Sequence, residues 1–111
     1  MAYRLQKINE LIKQELGKIL LHEEDFGPEI LVTLLETETS ADGLHANVFF
    51  SVYPTSAGEK IKKILEADVF KLQQLLNKRL KTHPVPKIRF AIDDSEAESE
   101  KIETIIRQEK N

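Results

Sequence analysis

Three histidines, His22, His45 and His83, and one adjacent carboxylate pair, Asp93-Asp94, are the side chains whose chemistry first invites a catalytic or metal-binding reading. The histidines lie far apart in sequence, and none has a partner at metal-ligand spacing. The paired aspartates could serve general acid/base work, but they sit where a strand ends and a capped helix is expected to begin. There is no Gly-rich phosphate loop, nucleophile elbow or zinc-binding histidine pair. With no cysteine in the chain, disulfides, thiolate zinc sites and cysteine nucleophiles are excluded together. The expectation is a protein without enzymatic activity, catalytic residues, metal site or cofactor.

Charge is the more informative chemistry. The chain carries a formal net charge of −3, which argues against indiscriminate coating of nucleic acid. Between Lys60 and Arg89, however, nine basic residues face only Glu66 and Asp68, a local balance of +7. From Asp93 to Glu100 the sign reverses, with five acids and no base. A chain polarised in this way can hold phosphate locally while remaining acidic overall; the bland alternative is a solvated polar face. At about 100° per residue, Leu72, Leu75, Leu76 and Leu80 share one arc of a helix. Gln73, Gln74, Asn77, Lys78 and Lys81 fall on the opposite arc, which is amide-rich, basic and free of carboxylates, an arrangement suited to phosphate and ribose contacts. Lys71 precedes the leucine arc, Arg79 falls between its leucines, and Lys87 and Arg89 lie just beyond. The candidate RNA-binding residues are therefore Lys71, Lys78, Lys81, Lys87 and Arg89.

The elements that must position them follow from periodicity. Leu5, Ile8, Leu11, Ile12, Leu16, Ile19 and Leu20 recur at helical spacing and predict a helix over 3–22. Gly17 in that helix points to close packing against a neighbour. A strand is expected over 30–38, followed by a Ser40-Ala41-Asp42-Gly43 turn and a second strand over 45–53. Ala46, Val48, Phe50 and Val52 face one side of it, with Phe50 in the core, and Phe49 and Tyr53 face the other. Ser56-Ala57-Gly58-Glu59 has capping-box spacing and should open a helix near Ala57. Asp68 can act as a second N-cap and interrupt that helix, and Pro84 and Pro86 end it. Lys87 to Asp93 reads as a third strand. A further capping box at Ser95 introduces a terminal helix with Ile102, Ile105 and Ile106 on one side. A length of 111 residues and 41% hydrophobic content suit one domain over 1–111 with a core of its own. Met1 to Lys7 has no secretory character, and no run approaches the roughly 20 apolar residues of a membrane span. A soluble, cytoplasmic protein with no membrane partner is expected.

Two stretches together resemble the ribosome-binding factor A family. The first is Glu38-Thr39-Ser40-Ala41-Asp42-Gly43-Leu44-His45-Ala46-Asn47-Val48, similar to the family's hairpin pattern of Ser-x-Asp followed by Ala-x-Val. The second is Leu75-Leu76-Asn77-Lys78-Arg79-Leu80, then Val85-Pro86-Lys87-Ile88-Arg89-Phe90 and Asp93, which looks like the family's basic helix, Val-Pro turn and last strand. The resemblance implies an α+β fold, a single type II KH-like domain. Its order would be helix, strand, strand, interrupted helix, strand, helix, with a three-stranded sheet and helices on one face. It also implies a non-catalytic factor that needs no cofactor. Such a factor binds 16S rRNA on the free, immature 30S subunit, promotes late pre-rRNA processing and maturation, and serves cold adaptation. Release with help from an assembly GTPase and a monomeric state belong to the same expectation. The residues carried over most directly are Lys78 and Lys81. Two other readings stay open: a KH-like domain for another RNA, although no GXXG loop is present, and a protein-interaction domain using Phe49 and Tyr53 on an exposed sheet face.

Overall fold

In β2 (His45–Tyr53), Ala46, Val48, Phe50 and Val52 are all buried, while Asn47 and Tyr53 are exposed and Phe49 is half-buried. The predicted alternation is realised except at Ser51, which is buried as well, and the strand lies at the centre of a three-stranded sheet. β1 (Leu31–Thr39) pairs with it antiparallel, and β3 (Lys87–Ile92) pairs with it parallel. The computed structural model describes residues 2–81 and 84–93; the terminal helix expected after Ser95 lies outside the described residues. The helices α1 (Ala2–Glu23) and α2 (Gly58–Arg79) cover the face of the sheet that Phe50 occupies. α2 is the crossover that a parallel β2–β3 pair requires.

The β1–β2 register carries a bulge between Leu34 and Thr37, where β1 holds one residue more than β2. Its consequence is legible in the side chains. Val32 and Leu34 turn inward before the bulge, and Thr37 and Thr39 after it, so Glu36 and Glu38 stay exposed. An unbulged strand would drive both glutamates into the core, because side chains alternate with period two. Beyond the bulge, the turn is built by side-chain chemistry. Asp42 accepts hydrogen bonds from the Ser40 hydroxyl and the Leu44 N–H, which hold its carboxyl below the usual carboxylate range. Gly43 takes φ 74°, the left-handed region in which glycine is least strained. The Ser-x-Asp motif is therefore a hairpin device.

Ile12, Leu16 and Ile19 of α1 and Ile61, Leu65, Leu72 and Leu76 of α2 close the core over the sheet. Within it Phe50 and Phe90 meet edge to face, with ring centroids 6.2 Å apart. The helices run antiparallel: Glu15 reaches Arg79 at 3.2 Å, and Glu23 reaches Lys71 at 4.0 Å.

Four expectations are corrected. α2 runs unbroken from Gly58 to Arg79, so Asp68 is a mid-helix residue rather than an N-cap. Its side chain lies beside Glu24, just past the end of α1. The Ser56 hydroxyl makes no cap bond; a 3-10 turn over Thr55–Ala57 leads into the helix, with the Ala57 N–H donating to the Pro54 carbonyl. Leu80 is already extended (φ −91°, ψ 136°), so α2 stops before the prolines and Lys81 lies outside it. Gly17 has open space where a Cβ would stand, and the tight position is Gly58, whose Cβ would lie 2.8 Å from Ile92 Cδ1.

Candidate nucleic-acid interface

The lysines of α2 stand where the buried leucines leave them. Leu65, Leu72 and Leu76 point into the core, so Lys60, Lys63, Lys71 and Lys78 are exposed on the outer surface of the helix. Lys71 meets Glu23, half-exposed on both sides, a contact worth little in water. The face expected to be free of acids therefore has a carboxylate at this one point, supplied from α1. Arg79 is likewise occupied, by Glu15. Lys78 makes no ion pair among the described residues, and Lys81 is exposed just past the helix end.

Gln73 does not belong to this solvent face. Its side-chain amide donates to the Pro86 carbonyl at 3.1 Å and accepts from the Ile88 N–H at 2.8 Å. A second bond runs from its Nε2 to Asn77 Oδ1 at 3.0 Å. This fork replaces a neighbouring strand at the outer edge of β3 and ties that edge to the helix.

Lys87 and Arg89 are exposed on β3, but the alternation that buries Ile88 and Phe90 sends them to the opposite side of the sheet. There Lys87 stands opposite His45, and Arg89 opposite Asn47. The five predicted residues therefore do not form one patch. Lys71 and Lys78 share α2 with Lys81 just beyond, while Lys87 and Arg89 form a second pair behind the sheet. Beside the second pair a groove of ≈ 740 Å³ runs between α2 and β3, lined by Lys62, Glu66 and Val69 of α2 and by Asn47, Phe49 and Arg89 of the sheet; of the five predicted residues only Arg89 lines it. Lys62 was counted in the basic run but not singled out; only the parallel placement of β3 beside α2 brings it towards Arg89.

A second polar site lies where α1 ends. Glu24 Oε1 is buried without a donor, and its carboxyl lies within hydrogen-bonding reach of the Asp68 carboxylate. Burial, then the hydrogen bond and charge of Asp68, push the Glu24 pKa from its ordinary 4.5 to about 7, against the opposing pull of Lys71 and with a further push from Glu23. The described residues hold no group of three or more metal-ligating side chains, and no described helix is long and apolar enough to cross a membrane.

A three-stranded sheet in the order β1-β2-β3 with two antiparallel helices on one face is the arrangement shared with known proteins. The family model of ribosome-binding factor A matches residues 4–106. The chain belongs to the ribosome-binding factor A family. Ribosome-binding factor A of Halothermothrix orenii is 31% identical over 109 residues, covering 96% of this chain and 88% of the relative. That of Pelagibacter ubique is 31% identical over 110 residues, covering 96% and 90%. The crystal structure of Thermus thermophilus ribosome-binding factor A superposes with a TM-score of 0.68 at 20% identity, over 79% of this chain and 94% of that one. A homology model of the Thermus protein, fitted into a cryo-electron-microscopy map of its 30S complex, gives 0.67 at 20% identity, over 81% and 96%. These two likenesses establish the fold. The family is one of ribosome-binding factors and not of enzymes.

Proposed function

We propose that this chain binds the free small ribosomal subunit through 16S rRNA and acts there in late maturation of the subunit, including pre-rRNA processing and growth in the cold. The Thermus relative of the same fold has been fitted into a map of a 30S complex, which makes the small subunit the natural target. The observation that carries the reading is the outer surface of α2 leading to Lys78 and Lys81, exposed and basic, on a chain of net charge −3. A protein that is acidic overall and keeps a basic helix surface can select one polyanionic partner over bulk nucleic acid. In this proposal Lys71, Lys78 and Lys81 contact phosphates from α2 and its end, and Lys87 and Arg89 contact them around the β3 edge. The protein works as a single domain and as a monomer in the cytoplasm, with no cofactor, and an assembly GTPase assists its release.

Co-sedimentation with purified small subunits, large subunits and free RNA tests this. The chain should pellet with small subunits and remain in the supernatant with large ones. Equal association with both subunits, or with any RNA of similar length, would contradict it.

A further inference from the structure

Among the exposed apolar side chains, Phe70 has a setting unlike a packing residue left over from the core. It lies in the middle of the outer surface of α2 and is 75% exposed, on an unbroken helix that fixes its position. Single exposed apolar residues are common and need no explanation on their own; the neighbours decide this case. At about 100° per residue, Lys63, Gln74 and Asn77 fall within roughly 40° of Phe70, and Lys78 within roughly 80°. Glu66 and Glu59 share the N-terminal half of that face, so its basic direction runs from Phe70 towards Lys78. One turn away on either side along α2 the only apolar residue is Ala67, so the ring stands among polar side chains of its own helix. The Gln74 side chain makes no hydrogen bond among the described residues and is exposed beside the ring.

A lone flat apolar ring, flanked by a free amide and followed by ammonium groups, matches one ligand chemistry. An unpaired nucleobase offers a π-face to the ring, a polar edge to the amide and a phosphate on each side for the lysines. We infer that Phe70 is a stacking platform for an unpaired RNA base, which the lysines following it on α2 hold by its flanking phosphates. The inference rests on the RNA-binding reading above and adds to it a contact made by stacking rather than by charge.

Because the chain contains no tryptophan, Phe70→Trp introduces a single indole, which can be excited selectively over the two tyrosines. Its emission should be quenched by a short single-stranded oligouridine and left unchanged by a blunt RNA duplex of equal charge. Phe70→Ala should weaken binding to small subunits by about 5- to 150-fold, the range seen when one stacked base loses its aromatic partner. The salt dependence of binding should stay as in the wild type, since no phosphate contact is lost. Phe70→Trp should retain affinity, and all variants should keep the wild-type melting temperature. Wild-type affinity in Phe70→Ala, alongside weakened binding in Lys78→Glu, would overturn the stacking contact and leave the basic face standing. Unchanged affinity in both variants would refute the face itself. An indole that shifts to the blue on subunits but ignores oligouridine would assign Phe70 to a ribosomal-protein contact and overturn the inference.

Discussion

Single side chains divide here into those that hold the fold and those left to act. Phe50 is fully buried against Phe90, and Phe50→Ala should cost about 3–5 kcal/mol in chemical denaturation, the usual range for emptying an aromatic site. Gln73 illustrates a role that residue type conceals. On a helical wheel it belongs to the polar arc, yet its amide satisfies both Pro86 and Ile88. Gln73→Ala should therefore destabilise the protein by about 1–2 kcal/mol, because two part-buried backbone groups lose their partner. Substitution at its neighbour Gln74 should leave stability within about 0.5 kcal/mol, as at exposed positions generally. Urea titration of the two variants distinguishes a β3 clasp from a solvent-facing amide. No pattern in the sequence separates these adjacent glutamines, since what distinguishes them is the strand that returns beside the helix.

At the scale of elements, the two helices meet through charge as well as through leucines. Glu24, just past the end of α1, lies beside Asp68 in the middle of α2, with Lys71 and Glu23 nearby. The folded-state pKa of Glu24 is raised, so between its ordinary 4.5 and about 7 the folded protein keeps a proton that the unfolded chain has released. The unfolded state then binds fewer protons, and by linkage this group's contribution to stability falls as pH rises through that window. Glu24→Gln should flatten this part of the pH dependence and make the protein more stable than wild type at pH above about 7. Thermal melts of both proteins from acid to mildly alkaline pH check this; parallel curves would show that the carboxyl pair is not coupled to folding. The expected break in α2 is absent. An aspartate inside an apolar-periodic run has the sequence character of an N-cap, but here it lies within a continuous helix, beside a carboxyl group distant in the chain. The hairpin, by contrast, was legible almost residue by residue, because strand alternation and turn chemistry are local. The bulge that keeps Glu36 and Glu38 in water was not, since it is defined only by the register against β2.

Across the whole molecule, the distribution of charge was legible and its geometry was not. Sequence alone locates nine basic residues between Lys60 and Arg89. It cannot say that Lys71 and Arg79 are partly occupied by glutamates of α1, or that Lys87 and Arg89 emerge behind the sheet. The pairing of β3 with β2 and the antiparallel packing of α1 on α2 decide those points, and both join segments remote in the chain. The resulting surface places Lys78 and Lys81 at the end of α2, apart from Lys87 and Arg89 behind the sheet. Its central claim is that Lys78 and Lys81 contact phosphates of the small subunit. The most direct test is the affinity for purified small subunits across a salt series, for the wild type and for Lys78→Glu/Lys81→Glu. Both positions are exposed, so the variant should fold with stability within about 0.5 kcal/mol per substitution. Its binding should weaken, and the slope of log K against log salt should become shallower by about 0.7 to 0.9 for each phosphate contact removed. A folded variant that binds with the wild-type affinity and slope would contradict the account.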